Sequence, residues 1–396
     1  MKKKIFNLTM VILVTLLSCS EEYETIPEQN VSNTNQVKTA LNQLDYGLYW
    51  YGTNEDKQKY EIGKENKFYN PSKPIIIFFH GQSPDIAKNG KRWDYYFEDA
   101  DAHVDKSWLD KGWNVGILHW EVWADENTTT DAEAKIYTRN GPKGFRYMLP
   151  GGYDSDENYP LNPTGNEAVG EIAYKYISDA LKIHNNTEVR FVGHSLGSQL
   201  STRVAYLIYN NIINNKLNES CRVKRLALLD PAWTKNGKNW WNDDKDLNND
   251  GNNDWVGERS KWAIFDMMNK WDDFAVEIYN STALDTPLGI AMDANLSLRE
   301  KVCCTSIRPW YYDAINLAKK HNAAFYHYMW TMSYAPPIEC TINWLYQRKK
   351  TGDVAPSANT SNEKISSMMK SSYYWDQVEG RNTFTPNDDW FERKDR

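Results

Sequence analysis

Five short apolar runs constrain the fold of this chain more than any other feature. The first reads Pro-Ile-Ile-Ile-Phe-Phe at residues 74–79. The others lie at residues 114–120, 188–193, 223–229 and 274–279. Continuous β-branched and aromatic runs of this length predict strands that are buried on both faces, the pattern of a parallel sheet enclosed by helices.

Helical patterns separate these runs. Apolar residues recur at helical spacing over residues 169–181 and again over residues 196–212. Thr164 and Glu167 have the spacing of a capping box ahead of the first helix. Strands that alternate with such helices predict an α/β fold, a mostly parallel sheet with helices on both faces.

The segment Gly193-His194-Ser195-Leu196-Gly197 lies where the third apolar run meets the helical pattern at residue 196. A serine on a tight strand-to-helix turn needs small neighbours, and the following helix N-terminus directs amides towards developing negative charge. This context predicts that Ser195 is a nucleophile. The alternative is a glycine-rich turn without chemistry.

Two further segments carry a family resemblance. Phe78-Phe79-His80-Gly81-Gln82 resembles the His-Gly loop of lipases, and Leu228-Leu229-Asp230-Pro231-Ala232 resembles the Leu-Asp-Pro-Ala segment of the pancreatic and lipoprotein lipase family. The resemblance extends over roughly residues 73–333 and implies the α/β-hydrolase fold. The run at residues 114–120 resembles a strand of this family that ends in Asp-Trp, but this chain has His119 where the family usually has Asp. The resemblance also implies an oxyanion hole made by the backbone N–H groups of Gln82 and Leu196.

The resemblance implies that Asp230 is the acid of a catalytic triad. Asp285, after the next apolar run, is the alternative acid because many α/β-hydrolases place theirs there. Only His321 and His327 follow Asp230 in the chain, and the order Ser, Asp, His requires the base to come last. His321 is the expected base, in the loop ahead of an aromatic helix, with His327 as the alternative. Ser195, Asp230 and His321 together predict ester hydrolysis through an acyl-enzyme.

The substrate is less constrained by the sequence. Residues 233–244 are polar with a few aromatics, which favours a soluble or carbohydrate-linked ester over a bulk lipid surface. The chain also has 17 Trp and 25 Tyr residues. A cell-surface protein that binds carbohydrate or lipid with a vestigial hydrolase fold is therefore the alternative function. The net charge of −7 argues against nucleic acid as a partner.

The start of the chain predicts export. Residues 1–18 have a basic start and an apolar run too short to span a bilayer, as in a signal peptide. Leu16-Leu17-Ser18-Cys19 resembles the lipobox of bacterial lipoproteins, which implies lipidation of Cys19 and anchoring to the outer membrane, with exposure at the cell surface. We expect a polar tether over residues 19–36, a catalytic domain over residues 37–350, and a polar linker and C-terminal appendage over residues 351–396.

Two sets of residues predict links that would stabilise the fold, namely disulfide bonds and a bound calcium ion. The remaining cysteines are even in number, which in an exported chain predicts disulfides without ranking the pairings; they are Cys221, Cys303, Cys304 and Cys340. Oxygen-bearing side chains with the spacing of a calcium loop lie at Asp246, Asn248, Asp250, Asn252 and Asp254. The sequence thus predicts a structural calcium ion and no organic cofactor.

Overall fold

A computed structural model describes residues 44–53, 56–155, 165–186, 188–235, 238, 254–282, 292 and 294–396. Its strands are β1 (Gly47–Tyr51), β2 (Lys57–Lys59), β3 (Ile75–Phe79), β4 (Tyr96–Phe97), β5 (Ala102–His103), β6 (Asn114–His119), β7 (Tyr147–Leu149), β8 (Gly152–Asp154), β9 (Val189–His194), β10 (Arg225–Leu229), β11 (Ala275–Asn280), β12 (Cys303–Ser306), β13 (Ile338–Ile342), β14 (Arg348–Val354), β15 (Tyr373–Glu379) and β16 (Trp390–Asp395).

The helices lie between these strands. They are α1 (Lys106–Asp110), α2 (Glu121–Ala124), α3 (Thr129–Tyr137), α4 (Val169–Lys182), α5 (Gly197–Ile213), α6 (Val256–Lys270), α7 (Leu296–Arg299), α8 (Leu317–Thr331) and α9 (Asn362–Met369). Short 3-10 turns occur at Glu98–Ala100, Glu219–Cys221 and Pro386–Asp388. Within the described residues, no helix is long and apolar enough to cross a membrane.

One large sheet organises the chain. Across the described residues it has the order β14-β13-β16-β15-β12-β11-β10-β9-β3-β6-β1-β2. The strands from β6 through β3, β9, β10, β11 and β12 to β15 are parallel. All five strands expected from the apolar runs are present and lie next to one another. Every residue of these five is buried, as expected for strands covered on both faces.

Helices cover both faces of this sheet. Helix α5 packs on β9 and β3 and contacts α4 and α6 on the same side. Helices α8 and α9 pack on the other face, against β9 and β10 and against β11 and β12, respectively. Neighbouring residues of β9 show the two faces directly, because Gly193 abuts α5 and His194 contacts α8. The predicted α/β fold class is thus confirmed.

The C-terminal part of the chain differs from the expected polar appendage over residues 351–396. Strands β15 and β16 belong to the main sheet, and Trp375 and Phe391 are buried in the core. Strand β16 is antiparallel to β15, β13 is parallel to β16, and β14 is antiparallel to β13. The composition misled the prediction because strands near a sheet edge keep many polar side chains on their solvent-facing side.

The first turn of α4 also differs from the prediction. The helix begins at Val169, and its N-cap residue is Ala168, whose backbone N–H donates to the Glu171 carboxylate. Thr164 lies outside the described residues, and Glu167 pairs with Lys175 instead of capping the helix. The acidic side chain that satisfies the first turn is therefore four residues later than the capping-box spacing suggested.

The disulfide prediction is wrong for the described residues. Cys221, Cys303, Cys304 and Cys340 are all free and buried. Cys303 and Cys304 are consecutive on β12, so their side chains point to opposite faces of the sheet. Burial raises the pKa of each of the four thiols, as expected for cysteines that serve as small apolar core residues.

Candidate active site

Ser195 lies at a strained turn between β9 and α5. Its φ is +54°, in the left-handed region that residues other than glycine rarely adopt. The turn is held from outside, because the Ser195 N–H donates to the Leu229 carbonyl (3.0 Å) and the Ser195 carbonyl accepts from the Ala232 N–H (3.3 Å). Both partners flank Asp230. The backbone of the serine turn is therefore fixed to the loop that carries the predicted acid.

The predicted oxyanion loop contacts the serine directly. Gly81 lies so close that a Cβ on it would be 2.5 Å from the Ser195 Cβ and 3.1 Å from its Oγ. The next residue, Gln82, is held through its side chain, which donates to the Glu126 carbonyl (2.6 Å) and accepts from the Thr129 hydroxyl (2.8 Å). These contacts fix the loop against Ser195.

The helix that follows the serine supplies the other side of the predicted oxyanion hole. Leu196 is the N-cap residue of α5, so its N–H lies outside the hydrogen-bond ladder of the helix. A Cβ on Gly197 would be 1.9 Å from the Phe79 carbonyl oxygen. Glycine at 197 thus lets the start of α5 approach the end of β3, which precedes the Gly81 loop.

Asp230 lies at the end of β10 and also has a positive φ, +42°. Its Oδ1 accepts from the N–H groups of Ser281 (3.1 Å) and Thr282 (3.3 Å), and its Oδ2 accepts from the Thr282 hydroxyl (2.6 Å). Burial acts to raise the pKa of Asp230, but the hydrogen bonds from His321, Thr282 and Ser281 outweigh it, so the pKa lies below its ordinary value. The carboxylate is therefore held ionised.

The structure brings His321 to Asp230. The His321 Nδ1 is 2.6 Å from the Asp230 Oδ2. An ionised carboxylate only accepts, so Nδ1 carries a proton, and in the neutral imidazole the lone pair is then on Nε2. His321 lies within α8, not in a loop ahead of it as the sequence suggested. His327, on the same helix, instead has its Nε2 3.3 Å from the buried Asp389 carboxylate.

His194 connects the serine turn to His321. Its Nε2 lies 3.0 Å from the His321 carbonyl oxygen and donates to it, and the two imidazole rings are 4.4 Å apart between centroids. Burial and the nearby His321 lower the pKa of His194 to about 3. The residue before Ser195 thus stays neutral while it fixes the position of α8.

A buried ion pair, missed in the sequence, anchors α8 to the sheet. Arg225 on β10 and Glu277 on β11 are both fully buried, with 2.7 Å between Nε and Oε1. The Tyr328 hydroxyl on α8 donates to the same Oε1 (2.7 Å). The sequence did contain a signal for this pair, because two neighbouring apolar runs include opposite charges, Arg225 in one and Glu277 in the other. Because β10 leads to Asp230 and α8 carries His321, this cluster links the elements that hold the two residues.

A second carboxylate–histidine cluster, also missed, lies behind the Gly81 loop. Glu121 accepts from the His119 Nδ1–H (2.6 Å) and from the Trp93 N–H (3.0 Å). His80 stacks between Trp93 and Trp120. The Trp120 N–H donates to the His80 Nε2 (3.2 Å), so the ring proton is on Nδ1, which donates to the Gly81 carbonyl (2.9 Å). This cluster braces the loop from the side away from Ser195.

Several predicted site residues lie outside the described residues. These are Cys19, Asp285, Asp246, Asn248, Asp250 and Asn252. Asp254, the last member of the predicted calcium loop, is described and buried. In the part of the chain that the structure describes, no group of three or more His, Cys, Asp or Glu residues could hold a metal ion. The calcium site therefore stays a prediction.

The sequence matches no known protein family and no curated protein. A probable hydrolytic enzyme from Pseudomonas aeruginosa is similar over 62% of this chain and 76% of its own, with 12% identity and a TM-score of 0.23. The thioesterase domain from the curacin biosynthetic pathway is similar over 66% of this chain and 83% of its own, with 11% identity and a TM-score of 0.23. Similarity this low says nothing about the function of this chain. The argument for a function must therefore come from the geometry of the site.

Proposed function

We propose that this protein is a serine hydrolase of the α/β-hydrolase type that cleaves carboxylic esters, with Ser195 as nucleophile, His321 as base and Asp230 as acid. One observation carries the proposal: His321 is bonded to the buried Asp230 carboxylate, and its backbone carbonyl accepts from His194, the residue before a serine in a left-handed strand-to-helix turn. Such strain has a cost, and it persists where the surrounding structure and the function both require it. The resemblance of the surrounding segments to lipases supports the same reaction.

In the proposed reaction, the Ser195 Oγ attacks the ester carbonyl carbon while the His321 Nε2 accepts the hydroxyl proton. Asp230 holds the Nδ1–H tautomer and stabilises the imidazolium that forms. The imidazolium returns its proton to the leaving alcohol as the C–O bond of the ester breaks. Water, deprotonated by the same Nε2, then attacks the acyl carbon. The bond from this carbon to the Ser195 Oγ breaks, the imidazolium returns the proton to Oγ, and the carboxylic acid leaves.

The developing oxyanion needs donors that are already in position. The N–H groups of Gln82 and Leu196 are the proposed donors, because one lies on the loop packed against Ser195 and the other at the start of α5. Donors fixed before the reaction need no reorganisation, and the loss of one such donor typically costs about 10²–10³-fold in kcat. The side-chain bonds of Gln82 support such fixed positioning.

The proposed substrate is an ester of a small molecule, a lipid or a carbohydrate, with a slight preference for soluble or carbohydrate-linked esters. We further propose that Cys19 carries a lipid that holds the chain to the outer membrane, and that calcium orders residues 246–254. Calcium should then raise the melting temperature, and Asp250→Ala should remove that increase. Equal melting temperatures in calcium and in chelator would contradict the metal site.

The direct test is hydrolysis of p-nitrophenyl esters over a series of acyl chain lengths, together with acetylated sugars. We expect turnover by the parent chain and by Ser220→Ala, whose serine is exposed and lies beyond the end of α5. Ser195→Ala should lose about 10⁴-fold or more in kcat. No turnover of any ester by the parent would instead favour the alternative function, a carbohydrate- or lipid-binding surface protein with a vestigial site.

A further inference from the structure

Three consecutive large apolar side chains lie exposed at the turn between β13 and β14. The exposed fractions are 85% for Trp344, 52% for Leu345 and 89% for Tyr346. We call residues 343–347 the aromatic tip. Many other tryptophans of the chain are fully buried, so the tip is a local departure from the way this protein places its aromatic residues. A contiguous exposed apolar group of this kind marks an interaction site more often than chance.

The turn holds its shape without help from these three side chains. The Asn343 Oδ1 accepts from the N–H groups of Leu345 and Gln347, both at 2.9 Å, and its N–H donates to the Gln347 carbonyl (3.0 Å). The Asn343 Nδ2 donates to the Gln347 Oε1 (2.9 Å). Asn343 and Gln347 therefore build the turn, and the apolar side chains between them are free to contact something else.

The backbone of the tip supports the same inference. Tyr346 has a φ of +60°, a left-handed conformation that is unfavourable for an aromatic residue. Asparagine or glycine would adopt it at lower cost. The tip thus combines an exposed apolar surface with a strained tyrosine, and neither contributes to the core. Both are explained if the side chains contact a partner.

The residues that follow the tip are cationic. Arg348, Lys349 and Lys350 open β14, an exposed edge strand. Because side chains alternate along a strand, Arg348 and Lys350 face one side and Lys349 faces the other. Arg348 forms an ion pair with Glu379, and the Lys350 amine lies 4.8 Å from the centre of the Trp390 ring. Glu379 offsets the charge of Arg348, so Lys349 on one side of the strand and Lys350 on the other are the cations that border the base of the tip.

We propose that the aromatic tip docks into a membrane surface that contains anionic lipids. Trp and Tyr rings are amphipathic and favour the headgroup level of a bilayer, while Leu345 would enter the acyl region. The cations at the base would contact anionic headgroups. A neutral polysaccharide would account for two rings, but neither for the leucine between them nor for the charge. The proposal does not depend on the proposed hydrolase activity.

A local probe tests the docking without interference from the N-terminal residues. Leu345→Cys in the full chain with Cys19→Ser, labelled with the environment-sensitive dye NBD, reports on the tip, because the expected lipidation site is removed and the native cysteines of the described residues are buried. Ile62→Cys, in the turn after β2 at the opposite edge of the sheet and with 52% exposure, is the matched control. Vesicles of phosphatidylcholine with phosphatidylglycerol are compared with vesicles of phosphatidylcholine alone.

We expect a blue shift and stronger emission at position 345 with the anionic vesicles and no change at position 62. Replacing Trp344 and Tyr346 with Ser in the labelled chain should weaken vesicle binding at this site by at least about tenfold. Lys349→Glu with Lys350→Glu should weaken it as well, because the membrane attraction of each cation is lost. No change at position 345 with either vesicle would overturn the proposal. An equal change with both vesicles would overturn the assignment of anionic lipid.

Discussion

Two carboxylate–histidine pairs lie at the carboxyl ends of strands in the same sheet, and they differ mainly in access to solvent. Asp230 follows β10 and binds His321, whose side chain is 17% exposed. Glu121 follows β6 and binds His119, whose side chain is fully buried. The same 2.6 Å distance joins carboxylate and Nδ1 in both pairs. We call them the open pair and the sealed pair.

The far nitrogen of each histidine explains the difference. In the sealed pair, the His119 Nε2 accepts from the Tyr51 hydroxyl (3.2 Å), so no lone pair remains for a substrate proton. In the open pair, Nε2 belongs to a partly exposed ring beside the Ser195 turn. A carboxylate–histidine contact is therefore not sufficient for catalysis. The pair must also keep one imidazole nitrogen free at a site that a substrate can reach.

The largest expected effect comes from changes to the open pair. Asp230→Asn leaves the side-chain shape intact but no longer enforces the Nδ1–H tautomer, so kcat should fall about 10⁴-fold. His321→Ala should reduce kcat at least as much, because the base is lost. Steady-state kinetics on a p-nitrophenyl ester measures both effects, and circular dichroism checks that the fold remains.

The alternative residues serve as controls for the open pair. His327→Ala should retain most activity, because His327 contacts Asp389 and not the site. Asp285→Asn should also be mild. If His327→Ala were inactive and His321→Ala active, or if Asp285→Asn were severe and Asp230→Asn mild, the assigned pair would be wrong.

The next effect concerns the loop between the two pairs. In Gly81→Ala the new Cβ would lie 2.5 Å from the Ser195 Cβ, so the loop or the serine must shift. A displacement of about 1 Å in a catalytic group can cost about 10²-fold in rate. We therefore expect kcat about 10²-fold lower, with KM changed much less. Gly112→Ala, at a turn where a Cβ meets nothing within 4 Å but φ is +79°, controls for backbone strain alone and should keep its activity.

The sealed pair should matter mainly for stability. Glu121→Ala leaves the His119 Nδ1–H and the Trp93 N–H without their buried acceptor, which should lower the free energy of unfolding by about 3 kcal/mol. Denaturant unfolding measures this effect. Glu167→Ala breaks a partly exposed ion pair with Lys175 and should cost less than about 1 kcal/mol. Similar losses in the two variants would contradict the bracing role of Glu121.

The last expected effect is a pH dependence of stability. Burial lowers the pKa of His119 to about 4 despite Glu121, and burial together with His321 lowers the pKa of His194 to about 3. Above the ordinary histidine pKa of about 6.5, these histidines are neutral in the native and in the unfolded chain, so their contribution to stability does not change with pH. As the pH falls below about 6.5, the unfolded chain binds protons that the native chain excludes, so stability falls, by up to about 1.4 kcal/mol per pH unit for each histidine.

His194→Gln isolates one of these histidines. Glutamine can still donate to the His321 carbonyl but does not titrate. Its unfolding free energy should therefore fall less steeply than that of the parent between about pH 6.5 and about pH 4. Parallel curves for the two proteins would mean that His194 binds a proton as readily in the native state as in the unfolded state, and that its native pKa is not lowered.

The sequence predicted those features whose signal is local. The buried strands, the serine turn, Asp230 and the contact partner His321 all lie within short segments with a distinct pattern. The sealed pair was missed because Glu121, His119 and His80 come from two strand ends that only the sheet brings together. The Arg225–Glu277 pair was missed for the same reason, although each charge interrupts an apolar run.

The C-terminal strands were missed for a different reason. Residues 348–353 of β14 are all exposed, so the strand lacks the apolar alternation that identifies a half-buried strand. Its pairing with β13 is decided by the sheet, not by its own composition. The helical position of His321 was missed although its signal is local, because the Lys319 N–H donates to the side chain of the N-cap residue Asn316 and the aromatic pattern obscured this cap.

Covalent labelling of Ser195 tests the central claim most directly. A fluorophosphonate reacts only with a serine whose hydroxyl is activated by a neighbouring base, so intact-mass spectrometry should show one adduct per chain, and peptide mapping should place it on Ser195. Ser195→Ala should show no adduct, and Asp230→Asn should react far more slowly. An adduct of equal yield on Ser195→Ala, or none on the parent chain, would contradict the open pair as a catalytic site.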